Sequence, residues 1–200
     1  MNQFRVVLPT ALLLAALSIS FVGHAQNPTA VQKLQLSAFG GVSGVFTGLE
    51  EGKNFSVVLG ADLALPPFSR LVRPVIEVRG TQPTDHGLVD SQKSILGGLR
   101  FDVLLGHRIH PYADFLFGRG QMNYGEFGYL YNNFEYDLTT TNVYSPGVGF
   151  DYDLSERLAL KADGQYQQWS SAPTPSGTIY AKSGTLGLVY RFNFNRHAIR

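Results

Sequence analysis

The sequence predicts an all-β fold: an eight-stranded antiparallel up-and-down transmembrane β-barrel, with short turns at one end and longer loops at the other. Three observations carry this expectation. Beyond residue 32 the chain divides into segments of roughly ten to fourteen residues in which apolar and polar side chains alternate, the spacing of membrane-crossing strands. No stretch after residue 25 approaches the roughly 18 apolar residues that a spanning helix needs. Only 16% of the residues are charged, and few of these fall on the apolar faces. A soluble domain carries about a quarter.

The N-terminus reads as an export signal. Arg5 precedes an apolar run from Val6 to Val22, and Gly23-His24-Ala25 supplies small residues at the −3 and −1 places. The expected boundary gives a signal peptide over 1–25 and a barrel domain over 26–200. The rival reading is a membrane anchor, because about 17 apolar residues is the lower edge of a span. The chain has no Cys, so neither a disulfide nor a lipid-modified N-terminal Cys applies. With Arg5 removed, the 15 acidic residues are balanced by basic ones, and nucleic acid is not indicated as a partner.

Eight strands are expected. The first, 33–46, places Leu34, Leu36, Ala38 and Val42 on one face. The second, 54–65, sends Phe55, Val57, Leu59, Ala61, Leu63 and Leu65 outward and Asp62 inward; Pro66-Pro67 then ends it, since proline gives no ladder donor. The third, 71–82, turns Val72, Pro74, Ile76 and Val78 one way and Arg73, Glu77 and Arg79 the other, with irregular pairing expected at Pro74. The fourth, 92–105, faces Ile95, Leu99, Phe101, Val103 and Leu105 outward and Arg100 and Asp102 inward.

The fifth strand, 110–124, alternates through Ala113, Phe115 and Phe117, and that phase carries Arg119 to the lipid side, which costs about 2–4 kcal/mol near the midplane. A β-bulge at Gly118-Arg119-Gly120 is therefore expected, turning Arg119 inward and Met122 and Tyr124 outward. The span from Gly125 to Thr141 reads as the longest loop. The sixth strand, 142–153, has Tyr144, Pro146, Val148, Phe150 and Tyr152 outward and Asp151 inward. After the turn Leu154-Ser155-Glu156 comes the seventh, 157–169, with Leu158, Leu160, Ala162 and Tyr166 outward and Lys161, Asp163, Gln165 and Gln167 inward. The eighth, 178–192, alternates Leu186, Leu188, Tyr190 and Phe192 against Thr185, Gly187 and Arg191; a short tail, 193–200, follows.

The chemistry that this phase collects inside is a charge network: Asp62, Glu77, Arg79, Arg100, Asp102, Asp114, Asp151, Lys161, Asp163 and Arg191. Unpaired charge in a narrow lumen is costly, so these groups are expected to pair. On the apolar faces, Tyr144, Tyr166 and Tyr180 stand near one set of strand ends and Tyr152, Tyr190 and Phe192 near the other, as interfacial aromatics do. The alternative architecture is a soluble lipocalin-type barrel, in which the apolar faces point inward and hold a lipid.

Two resemblances follow from these residues. The closing strand, with Thr185, Gly187, Tyr190 and Phe192, resembles the C-terminal assembly signal of bacterial outer-membrane barrels, although Phe194 offers a second frame. The run from Tyr152 to Asp163, with the closing strand, resembles the eight-stranded OmpA-like outer-membrane β-barrel domain family. That likeness implies location in the cell outer membrane, contact with its lipid, and recognition by the barrel-assembly machinery. It also implies short periplasmic turns and longer extracellular loops. A C-terminal peptidoglycan-binding domain is not expected, since the expected barrel uses the chain to its end.

Function is expected to be structural, or small-solute and porin-like, with a lumen filled by side chains; eight strands leave no wide pore. The second expectation is surface adhesion or binding through loop 125–141, with Phe127, Tyr129, Tyr131, Phe134 and Tyr136. The protein is not expected to be an enzyme. Some barrels of this kind modify lipid A through a rim His, but no Ser is paired here with His86, His107, His110 or His197. No cofactor or metal site is expected; Asp151 and Asp153 on one face are two carboxylates only.

Overall fold

The computed structural model describes residues 34–48, 52–84, 91–104, 108–124, 128–170 and 174–192. The expected signal peptide, the tail 193–200 with Phe194, and His86, His107, His197 and Phe127 lie outside them. The strands are β1 Gln35–Phe46, β2 Lys53–Ala64, β3 Val72–Pro83, β4 Ser91–Val103, β5 Ile109–Asn123, β6 Tyr129–Tyr131, β7 Phe134–Tyr136, β8 Leu138–Asp153, β9 Leu158–Ser170 and β10 Thr178–Arg191. Eight of them close a barrel in the order β1-β10-β9-β8-β5-β4-β3-β2, each pair antiparallel, and β6 and β7 form a separate hairpin. Closure leaves no edge strand in the barrel, so no row of unpaired backbone groups faces outward.

Both described chain ends lie at the end that carries the connections 65–71, 104–108 and 154–157. We call it the turn end and the other the loop end. Two of these turns are tied by a serine. Ser69 Oγ accepts hydrogen bonds from the backbone N–H of Leu71 and Val72, and Ser155 Oγ from those of Arg157 and Leu158. The β6–β7 hairpin turns on Asn132 and Asn133, both with positive φ (50° and 64°). Asparagine tolerates that conformation, which two-residue hairpin turns require.

Two expectations about irregularity need correction. β5 pairs without a break with β4 and with β8 through Gly118, Arg119 and Gly120, so there is no bulge. Met122 and Tyr124 point inward and are buried, while Arg119 is exposed on the outer face. The flanking glycines serve the lumen instead: a Cβ on Gly120 would collide with the Trp169 ring. Arg119 lies beyond Phe117 and Tyr144, whose rings are 5.6 Å apart, and level with outward Ile95, so it stands at the loop-end border of the apolar belt rather than at its middle. Register also runs unbroken through Pro74. The Pro74 carbonyl accepts the Leu65 N–H at the end of β2, so the missing N–H faces a strand that has already finished. The ladder is interrupted at Pro146, where β8 and β9 skip Ser145 and Pro146.

The loop expected over 125–141 is also shorter, because β8 begins at Leu138 and the β6–β7 hairpin occupies its middle. The phase of the other strands is as the alternation predicts. Phe55, Leu59, Ile95, Val148 and Leu186 are each more than 60% exposed, whereas Glu77, Arg100 and Lys161 are at most 2% exposed. A soluble barrel has the opposite arrangement, with charge outside and an apolar cavity inside.

Candidate functional site

The interior is the chemically rich part of the molecule, and strand phase builds it. Inward positions recur every second residue, so β3 delivers Arg73, Glu77 and Arg79, β4 delivers Arg100 and Asp102, and β9 delivers Lys161, Asp163 and Gln165. Closure then brings distant strands face to face. Arg79 donates from Nε to Glu77 Oε1 at 2.7 Å, and from its two terminal nitrogens to both Asp163 oxygens at 3.2 and 3.0 Å. Lys161 Nζ lies 3.3 Å from Glu77 Oε2. Two cations and two carboxylates from β3 and β9 thus form a tie across the lumen.

A second cluster centres on Arg100. Its guanidinium bonds Asp102 at 2.6 Å, Asp62 at 3.2 Å and Asp151 at 2.5 Å, joining β4 to β2 and β8. The same group lies 3.7 Å from the centre of the Tyr112 ring, and Lys161 Nζ 4.1 Å from that of Phe39. Aromatic faces therefore supply the sides of these cations that carboxylates do not reach. Asp114 accepts from Gln165 Nε2 at 3.0 and 3.1 Å, and Ser145 donates to Gln165 Oε1 at 2.7 Å. At the turn end, Asp153 bonds both Arg191 (2.6 Å) and His110 (2.9 Å), and Arg73 bonds Asp102 (3.0 Å).

All ten expected lumen charges line the interior, nine of them buried and Arg191 partly so. The expected network leaves out Phe39, Tyr112, Arg73 and the His110–Asp153 contact. Their inward phase is readable in the sequence; their partners are not, because register and closure set them: Arg73 meets Asp102 and His110 meets Asp153 across neighbouring strands, whereas Phe39 on β1 reaches Lys161 on β9.

The loop end of the lumen holds an apolar cluster beside buried Asn54, Ser56, Gln92 and Gln167. Leu96, Leu116, Met122, Tyr124, Val143, Trp169, Ile179 and Ala181 form one buried cluster, with Tyr136 of the hairpin packed on it. The interior is therefore a charged layer beneath an apolar stopper. At the turn end a polar recess between Ser37, Arg73, Asp102 and Arg191 measures only ≈ 10 Å³, room for about one water.

The remaining expected site residues are placed as follows. Thr185 is inward and donates to Ser43 Oγ at 3.3 Å. Gly187 faces Gly41 at the seam between β1 and β10, where a Cβ would lie 2.6 Å from the Gly40 carbonyl oxygen. Tyr190 and Phe192 are outward, their rings edge to face at 5.2 Å. In the hairpin Phe134 is 68% exposed, and Leu130, absent from the expected set, is 72% exposed; Tyr136 is half-buried. Tyr129 and Tyr131 pair in backbone with Tyr136 and Phe134. Among the described residues, no three His, Asp or Glu gather as a metal site.

The comparison with solved structures settles the fold. Neisserial surface protein A superposes with a TM-score of 0.54 at 15% identity, over 80% of this chain and 97% of that one. The fold is that of an eight-stranded outer-membrane β-barrel. Two structures matching with lower scores are Ail, the attachment invasion locus protein of Yersinia pestis (TM-score 0.45, 10% identity, 80% of this chain and 97% of that one), and OprG from Pseudomonas aeruginosa (0.41, 14%, 81% and 97%). No protein-family model matches the sequence, and no curated protein matches it.

For an outer-membrane barrel fold, the outward aromatics acquire a physical meaning. Tyr166 and Tyr180 stack 5.7 Å apart at the loop end, and Tyr190 and Phe192 pair at the turn end. The two groups border the apolar belt as interfacial rings do.

Proposed function

We propose that this protein is an integral outer-membrane barrel whose role is structural, with a lumen sealed to solutes. The observation that carries this reading is the tie of Arg79 and Lys161 to Asp163 and Glu77 across the interior, capped by the Trp169 cluster. Export, the periplasmic placing of the turn end, and recognition of Thr185, Gly187, Tyr190 and Phe192 by the assembly machinery belong to the same proposal. Two measurements test it. Protein taken from the outer-membrane fraction should need detergent for extraction and should migrate differently on a gel when boiled and unboiled. In planar bilayers the purified monomer should show no stable porin-like conductance. A detergent-free soluble product, or a large steady conductance, overturns the reading.

The hairpin supports a second reading, binding of another surface. Leu130 and Phe134 present apolar side chains to solvent beyond the barrel rim, and exposed aromatic groups favour contact with partners. Immobilised cells or matrix proteins that retain the wild type and the Leu130→Ser/Phe134→Ser variant equally would eliminate it.

A further inference from the structure

The outer wall changes character on four neighbouring strands near the loop end. Up to the Phe117–Tyr144 ring pair the outward residues are Ile76, Val78, Leu99, Phe115 and Val148, all exposed and apolar. One step further they become Gln82, Lys93, Arg119, Gln121, Thr140 and Asn142, with Ile95, which pairs with Arg119, the apolar residue among them. The register makes these a patch: Lys93 pairs with Gln121 and Gln121 with Thr140, while Arg119 pairs with Asn142 in the row below. Lys93 and Arg119 are thus diagonal neighbours on one face, within reach of a shared ligand. Arg119 donates to Asn142 Oδ1 at 2.9 Å, which holds the guanidinium against the wall. A depression of ≈ 310 Å³ lies between them, lined by Gln82, Lys93, Ile95, Arg119, Gln121 and Thr140.

The lumen cations Arg73, Arg79, Arg100, Lys161 and Arg191 each have a carboxylate partner. Among the described residues Lys93 and Arg119 have none, although they stand on the wall that the proposed function turns toward lipid. A cation just beyond an apolar belt lies at headgroup depth, where its natural counter-charge is a lipid phosphate. Arginine fits two phosphate oxygens at once, and lysine adds a point charge. The amides and the hydroxyl around them match the hydroxyls of a sugar or glycerol that carries the phosphate. We propose that this patch binds the phosphorylated headgroup of a lipid in the leaflet at the loop end. Lys93 and Arg119 hold the phosphate, and Gln82, Gln121 and Thr140 hold its carrier. The proposal rests on the membrane reading above.

The test uses the full barrel in maltoside micelles doped with equal dioleoyl phosphatidic acid and dioleoyl phosphatidylcholine, with retained lipid counted by native mass spectrometry. Wild type should retain the phosphomonoester lipid over the zwitterionic one by about tenfold, the ratio worth one order in affinity. Lys93→Gln/Arg119→Gln should abolish most of that preference, and Lys93→Arg should keep it. Lys182→Gln, which removes an outward loop-end cation on β10, should leave it unchanged. A wild type without preference overturns the proposal. So does a double variant that binds as wild type does, or a Lys182 variant that loses as much. Excess inorganic phosphate that strips the lipid from wild type would point to a soluble anion and also overturn it. Should the double variant fail the boiled and unboiled gel comparison, the single variants decide. Solubility without detergent would sink the membrane reading itself, a result separable from any lipid ratio.

Discussion

Arg79 and Asp163 stand on β3 and β9, four strands apart whichever way the barrel is traversed, yet their side chains meet through two hydrogen bonds of 3.2 and 3.0 Å. The pair spans the lumen. Together with Lys161 and Glu77 it opposes any flattening of the barrel along that diameter. Removing one partner strands a buried charge, so Arg79→Met should cost about 3–5 kcal/mol in a urea unfolding titration. Asp163→Leu should cost a similar amount. The double variant should cost less than the two together, with a coupling of about 1–3 kcal/mol. Additive losses would mean that the two groups do not act as a pair.

The apolar stopper depends on a small residue opposite a large one. Gly120 faces the Trp169 ring with no room for a Cβ. Gly120→Val should therefore destabilise the barrel by about 1–3 kcal/mol. Combining it with Trp169→Ala should cost less than the single changes predict. If Gly120→Val were neutral, the close packing would be refuted.

At the closure seam Gly187 touches the backbone of β1. Gly187→Ala should slow refolding into lipid vesicles that contain no assembly proteins. A defect seen only in cells, with normal refolding in vesicles, would assign this glycine to recognition rather than to packing.

The hairpin divides into two classes of aromatic residue. Phe134 is exposed, so Phe134→Ser should leave stability within about 0.5 kcal/mol of wild type. Tyr136 packs on the stopper, and Tyr136→Ala should cost about 1–3 kcal/mol, as partial truncation of a packed aromatic does. Equal effects of the two would contradict the placement.

Strand phase is legible in the sequence. Alternation assigns Asp62, Glu77, Arg100 and Lys161 to the inside and Phe55, Leu59 and Leu186 to the outside, because side chains on a strand have period two and one face must avoid water. The same logic fails at Arg119. The rule that an outward Arg is too costly assumes mid-membrane depth, and a single strand does not reveal its depth. Phe117 and Tyr144 mark where the belt stops only when their strands lie side by side. Met122, Tyr124 and Trp169 escape recognition as a stopper for a related reason: an inward apolar residue contradicts a simple polar-in pattern, and only its neighbours on other strands explain it.

The sequence by itself determined the eight barrel strands, their facing outside the stretch from Arg119 to Tyr124, and the closed all-β architecture, since these follow from local periodicity and from turn residues such as Pro66, Pro67 and Ser155. The tertiary structure decided which charges pair. Arg79 has carboxylates available on several strands, and the register of β9 against β10 and of β3 against β4 places Asp163 before it. It also decided that Gly118 and Gly120 make room rather than make a bulge, and that Lys93 and Arg119 share one patch. Pairing across a barrel depends on strand number and stagger, which are properties of the closed sheet and of no single strand.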